Sequence, residues 1–253
     1  MKHLNLSFSA CGFLGIYHLG AASALLKHGH KLLNCVKFYA GASAGSLVAA
    51  LLLTAPDKIK ESKDFIYAFS EDVRKQALGA LTPRYHFMEH LRAGIESILP
   101  CKAHELADNR LYVSITNTRS GENLLVSKFG SREDLIKVLL ASSFVPVYAG
   151  IKAVEYKGET WFDGGFSNSL PILPAGRTVT VSPFCGRNDI CPKDKALMEL
   201  YVKVVKQDIL LSTANLKRLN QALFPPSRGK MESIFQEGFE DTVNFLQAQN
   251  WFG

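Results

Sequence analysis

Twice near its start the chain passes from a strand through a glycine-rich turn into an apolar helix, and no other feature narrows its fold as much. Leu4, Leu6 and Phe8 alternate with Asn5, Ser7 and Ser9, the period of two expected of a strand. The run continues through Gly12-Phe13-Leu14-Gly15 into a small-residue helix over roughly 16–28, which Gly29 stops. A second strand over 36–40 leads to Gly41-Ala42-Ser43-Ala44-Gly45 and a helix over 47–53 that is apolar on every side. Such a helix must be buried, with a sheet on one side and helices around it. Strand, tight turn and helix, repeated, predict an α/β protein with a parallel sheet.

The rest of the chain fits that class. Residues 56–99 read as helical, interrupted at Thr82-Pro83. Alternation over 111–116 gives a strand, and Ser120-Gly121 turns it into a partner over 124–129. Ser131 and Asp134 form a capping box for a helix to about 141. Strands over 154–156 and 160–162 flank Lys157-Gly158 and lead to Asp163-Gly164-Gly165, and 178–182 is the last expected strand. The span 194–224 reads as a helix, with Leu197, Tyr201, Val204 and Val205 near one face beside Lys203, Lys206, Lys217 and Arg218. Pro225-Pro226 separates it from a final segment. The expectation is a single domain over 1–253, its core about 4–185 and a helical C-terminal appendage about 194–253.

Composition excludes other classes. With 47% hydrophobic and 21% charged residues over 253, disordered, collagen-like and coiled-coil chains are ruled out. No uninterrupted apolar run approaches the ~18 residues of a spanning helix, and Asn5, Ser7 and Ser9 break any secretory apolar stretch. Five cysteines without a Cys-x-x-Cys pair give no zinc or disulfide framework, and a reducing compartment is expected. A dispersed net charge of +6 suits anionic membrane surfaces and falls short of a nucleic-acid footprint.

Gly41-Ala42-Ser43-Ala44-Gly45 fits G-x-S-x-G, in which the glycines permit a sharp turn that exposes a strained serine. The following helix N-terminus offers free N–H groups to a developing oxyanion. The Gly12 loop has two readings, a phosphate cradle or an oxyanion loop supplying N–H groups from Gly12 and Phe13. Ala10 stands where the nucleotide fingerprint needs glycine, which favours the second. All seven histidines lie at or before His104, so a triad whose histidine comes last is not available. His86 and His90 have metal-ligand spacing, but Glu89 does not follow His86 as the zinc-protease motif requires. No metal or cofactor is called for. Asp163, at a strand end before two glycines, is the remaining candidate base.

These three elements, in this order and spacing, resemble the patatin-like phospholipase family. The stretches 9–20, 41–45 and 141–146 and Asp163-Gly164-Gly165 carry the likeness. The resemblance implies a three-layer α/β/α sandwich with a mostly parallel central sheet. It also implies a Ser-Asp dyad, with Ser43 as nucleophile, Asp163 as direct base and Gly12, Phe13 and Gly15 around the oxyanion hole. Gly41, Ala44 and Gly45 shape the nucleophile turn, and Gly164 and Gly165 complete the acid's motif. Lipid esters such as triacylglycerols, retinyl esters and phospholipids are the implied substrates, with transfer to alcohols as a further reaction. Leu14 stands where plant and bacterial members carry a basic residue, and the missing cation favours neutral lipids. The expected setting is cytoplasmic, in peripheral contact with a membrane or lipid droplet. A carboxylate base, raised by a pocket of Phe144, Val145, Phe162 and Phe166, should titrate below the imidazole range. The competing reading is a non-catalytic lipid-binding or transfer protein using the same pocket.

Overall fold

In a computed structural model, residues 3–194 and 200–253 are described. The strands are β1 (Leu4–Phe8), β2 (Val36–Ala42), β3 (Leu111–Asn117), β4 (Asn123–Val126), β5 (Val154–Tyr156), β6 (Glu159–Asp163), β7 (Arg177–Val181), β8 (Tyr201–Val204) and β9 (Gln207–Leu210). The helices are α1 (Gly15–His28), α2 (His30–Leu33), α3 (Ala44–Thr54), α4 (Ile59–Lys75), α5 (Phe87–Ile98), α6 (Ala103–Ala107), α7 (Arg132–Ser143), α8 (Thr213–Leu223) and α9 (Arg228–Ala248). The mixed α/β class and the mostly parallel central sheet are as expected. The strands β3, β2, β1 and β7 run parallel, β1 lying between β2 and β7.

The antiparallel flank positions the site. Val113 and Ser114 of β3 pair with both β2 and β4, while Ile115 and Thr116 pair with both β4 and β6. A strand has two edges, so β4 takes one, and β2 and β6 share the other end to end. Ala42, the last residue of β2, stands opposite Ser114, and Asp163, the last of β6, stands opposite Ile115. The two strands run toward each other and stop at adjacent positions of β3. The residues that follow them meet there.

Helix α3 packs on β1, β2 and β3, and α7 packs on β3, β5 and β6. Ile16, Tyr17, Ala21, Ala22 and Leu25 of α1 are fully buried. α9 lies along α1, where Tyr17 Oη donates to Asp241 Oδ2 at 2.7 Å. Ser131 Oγ accepts the Asp134 N–H as the capping box predicts. No described helix is long and apolar enough to cross a membrane.

The span 194–224 departs from expectation. It contains the antiparallel hairpin β8–β9, with α8 beginning only at Thr213. Tyr201-Val202-Lys203-Val204 is β-branched and alternating, and Val205 and Lys206 both take positive φ to close a two-residue turn. That local preference outweighs the helical spacing of the apolar residues. No single amphipathic helix therefore gathers Tyr201, Val204, Val205 and the four cations, and Leu197 lies outside the described residues. The C-terminal region is accordingly mixed rather than helical throughout.

Candidate active site

Ser43 follows β2 directly and precedes α3. Its backbone sits at φ 53°, ψ −134°, a conformation that side chains adopt only when their surroundings enforce it. Those surroundings are specific. The Ser43 N–H donates to Ser142 Oγ at 2.8 Å, and Ser142 Oγ donates to the Ser114 carbonyl at 2.7 Å. On the other side the Ser43 carbonyl accepts from Ser46 Oγ at 2.7 Å and from the Ser46 N–H at 2.9 Å. A Cβ on Gly45 would come within 2.3 Å of the Phe8 carbonyl oxygen, so only glycine lets the first turn of α3 lie against the end of β1. The main chain of Ser43 is thus held from two directions while its hydroxyl faces Asp163.

The Asp163 carboxyl accepts a hydrogen bond from the Gly165 N–H at 2.6 Å and lies beside the Ser43 side chain, whose hydroxyl favours its ionised form. Its own N–H donates to the Phe144 carbonyl at 2.9 Å, and Thr116 Oγ1 donates to its carbonyl at 2.8 Å. Burial pushes its pKa up from 3.8 to about 7, against the Ser43 hydroxyl and the Gly165 N–H, which favour the carboxylate. This overturns the expectation that it titrates below the imidazole range. Of the four residues expected to wall it, Val145 and Phe166 line the cavity. Phe144 is buried and contributes its carbonyl, while Phe162 packs edge-on to Phe166 at 5.2 Å.

The Gly12 loop closes the third side. Gly12–Leu14 forms a short 3-10 turn whose Leu14 N–H donates to the Cys11 carbonyl at 3.1 Å. The N–H groups of Gly12 and Phe13 precede that bond and belong to the free first turn. Gly12 has φ +54°, and a Cβ there would lie 2.2 Å from the Ala222 carbonyl of α8. Beneath the loop, His18 is fully buried and its Nε2 lies 2.9 Å from the Ser9 carbonyl. Donation to that carbonyl fixes the neutral tautomer, and burial lowers its pKa to about 4.

Ser43, Ala44, Asp163, Gly165 and the 10–13 loop all line one cavity of about 720 Å³, walled by apolar side chains such as Leu47, Val48, Leu51 and Ile95. Gly15 also lines it. No histidine does among the described residues. Leu14 is buried in the core outside the cavity wall, so a preference for neutral lipids would come from the apolar wall and not from a lost cation at that position. No group of three or more His, Cys, Asp or Glu able to hold a metal occurs among the described residues. Sequence reasoning assigned no role to Ser142, Thr116 or Ser114. Their types are unremarkable in sequence, and only the pairing of β3 and the packing of α7 on it bring them to Ser43 and Asp163.

The patatin-like phospholipase family model matches residues 6–175. The chain belongs to the patatin-like phospholipase family. It is 69% identical to human patatin-like phospholipase domain-containing protein 4 over 252 residues, covering 100% of both chains. It is 34% identical to the mouse 1-acylglycerol-3-phosphate O-acyltransferase Pnpla3, covering 97% of this chain and 59% of that relative. In three dimensions it resembles VipD from Legionella pneumophila, with a TM-score of 0.56 at 14% identity over 98% of this chain and 67% of that one. This last likeness is one of fold. Family membership supports lipid hydrolase or acyltransferase activity at the level of reaction class.

Proposed function

We propose that the protein is a serine acyl hydrolase that cleaves lipid carboxylic esters, triacylglycerols and retinyl esters foremost, through Ser43 and Asp163. The observation that carries this reading is that Ser43 and the buried carboxyl of Asp163, from strands that end at adjacent positions of β3, share the wall of one apolar cavity, where burial raises the pKa of Asp163 to about 7. An ordinary carboxylate of pKa ~3.9 is a weak base. One raised toward neutrality is matched to proton transfer at working pH.

The chemistry proceeds in two halves. Ser43 Oγ attacks the ester carbonyl carbon as its proton passes to Asp163, and the N–H groups of Gly12 and Phe13 receive the oxyanion. Collapse expels the alcohol, which takes the proton from Asp163, and leaves the acyl group on Ser43. Asp163 then accepts a proton from an incoming hydroxyl, which attacks the acyl-enzyme. Collapse expels Ser43 Oγ, which takes that proton from Asp163 and regenerates both residues. Water gives the free acid; glycerol or retinol gives a new ester. The acyltransferase named among the relatives supports the second outcome.

Turnover of triolein, retinyl palmitate and phosphatidylcholine, with and without added retinol, tests the reading. Wild type is expected to release fatty acid from the neutral esters and to form retinyl ester when retinol is added. Ser43→Ala should do neither while keeping its circular dichroism spectrum. Lipid binding without turnover in wild type would establish the non-catalytic alternative, and faster turnover of phosphatidylcholine would overturn the preference for neutral esters.

A further inference from the structure

The mouth of the Ser43 cavity is built from side chains that face two ways. Val202, Val204, Leu211, Leu216, Leu219 and Leu223 all line the cavity, and each is also more than a third exposed to solvent. A residue with both properties stands at the rim. In the β8–β9 hairpin Val202 pairs with Ile209 and Val204 with Gln207, so these alternate positions share one face, and all four line the cavity. Buried Gln207 fastens the hairpin there, donating from Nε2 to Ser169 Oγ and accepting from Ser182 Oγ at 3.2 Å. On α8 the three leucines follow at i, i+3 and i+7, one stripe of the helix.

The apolar surface continues beyond the rim. The Leu200 carbonyl accepts the Leu211 N–H at 2.8 Å, Phe224 follows Leu223 directly, and both side chains are about half exposed without lining the cavity. Tyr148 Oη donates to the Leu223 carbonyl and brings Val147, 75% exposed, alongside. Phe166, after the Asp163 turn, is exposed and also lines the cavity. Contiguous apolar surface of this kind marks a contact with another apolar phase.

We propose that the β8–β9 hairpin and α8 form the surface by which this protein docks on lipid, inserting their apolar side chains so that the cavity opens directly into the lipid phase. The occupant follows from continuity. The exposed face and the wall leading to Ser43 share the rim residues of the β8–β9 hairpin and α8, and a water-insoluble ester must cross them. A folded protein seated on the rim would close the entrance. This inference rests on the lipid-ester reading of the site. Lys203, Lys206 and Lys217 border the apolar residues, but the rim itself is uncharged, so docking is by burial of apolar area.

Co-sedimentation of the full chain with phosphatidylcholine vesicles tests docking without requiring catalysis. Leu200→Asp with Phe224→Asp, both outside the cavity wall, is expected to lower the vesicle-bound to free ratio about tenfold. Turnover of emulsified triolein should fall with it, and turnover of soluble p-nitrophenyl butyrate should stay unchanged. Leu106→Asp, an exposed leucine on α6 away from the cavity, should leave all three unchanged. Wild-type binding should persist at about 1 M NaCl, where the Debye length is about 3 Å. In a second measurement Phe224→Trp should gain fluorescence that brominated phosphatidylcholine quenches beyond the wild-type signal. Unchanged vesicle binding in the double variant, binding abolished by salt, or an unquenched Trp at 224 would each overturn the proposal. Absence of turnover in wild type with vesicle binding intact would instead count against the esterase reading alone.

Discussion

Ser142 Oγ accepts the main-chain N–H of Ser43 at 2.8 Å, beneath a cavity in which the Ser43 side chain faces the other way. The bond holds a non-glycine residue at positive φ, and Ser142 has no contact with the reacting atoms. It is a positioning residue. Removing its hydroxyl leaves a buried N–H unpaired, at a cost of about 1–3 kcal/mol. The elbow can escape that cost by relaxing out of its strained conformation. Ser142→Ala is therefore expected to lower the rate at which a phosphonate probe labels Ser43 by roughly tenfold to a hundredfold, with KM for soluble ester little changed. A variant that melts lower yet labels at the wild-type rate would show that Ser142 supports the fold alone.

Two glycines set how closely the elements of the site approach. Gly45→Ala would drive a methyl into the Phe8 carbonyl, and Gly12→Ala into the Ala222 carbonyl. Overpacking costs about 1–3 kcal/mol where side chains can yield, and backbone carbonyls yield less. Gly45→Ala is expected to destabilise the whole domain by at least the upper end of that range. Gly12→Ala should separate the oxyanion loop from α8, with a larger loss of turnover than of stability. Denaturant melts beside kcat separate the two effects.

Histidine is expected to be dispensable for the proton transfer. His86 is exposed beside Glu89 and His90 stacks on Tyr85, and neither they nor His104 line the cavity. His86→Gln, His90→Gln and His104→Gln should label at close to the wild-type rate. His18 differs because it supports the Ser9 carbonyl under the oxyanion loop. Its pKa falls from 6.5 unfolded to about 4 folded, so its contribution to stability is present above about 6.5 and lost as pH falls toward 4. His18→Gln should flatten that acid limb in melts taken across the window.

Asp163 has the opposite sign. Its folded pKa of about 7 lies above the unfolded 3.8, so the folded state holds the proton more tightly. Stability is then greatest below pH ~4 and is lost as pH rises through about 7. Asp163→Asn removes that loss. The melting temperature of the variant minus that of wild type should grow between pH 4 and 7 and then level. On the proposed mechanism catalysis runs the other way, since only a carboxylate would accept the Ser43 proton, and wild-type rates should rise through the same window.

The outline of this site was legible because its backbone demands are written in residue types. Gly12, Gly41, Gly45 and Gly165 mark turns, and the alternation of 4–9 and the apolar helix after Ser43 mark the parallel sheet. Elimination of the histidines left Asp163 as the candidate base for Ser43, and family resemblance supplied the direct pairing of the two. Its physical cause, β2 and β6 ending at adjacent positions along one edge of β3, depends on strand partners distant in sequence. Thr116 was invisible for the same reason, and Ser142 stood out only as part of the 141–146 stretch, without a role of its own. The 194–224 span misled because Leu and Val at helical spacing also fit a hairpin when β-branched residues cluster. The upward direction of the Asp163 pKa was expected from its apolar neighbours, but its extent could not be read, since burial is a property of the assembled wall.

The central claim is that Asp163, and no histidine, takes the proton of Ser43. It is tested most directly by the rate of fluorophosphonate labelling of Ser43 in Asp163→Asn, measured across pH 5.5–8.5 beside wild type. A rise through about pH 7 in wild type does not by itself separate a raised carboxyl from an imidazole, and the substitution does. The expected result is a loss of about a hundredfold or more, the scale of a missing general base, with the inflection near pH 7 abolished in a folded variant. Retention of more than about a tenth of the wild-type rate, with the inflection still present, would contradict the account.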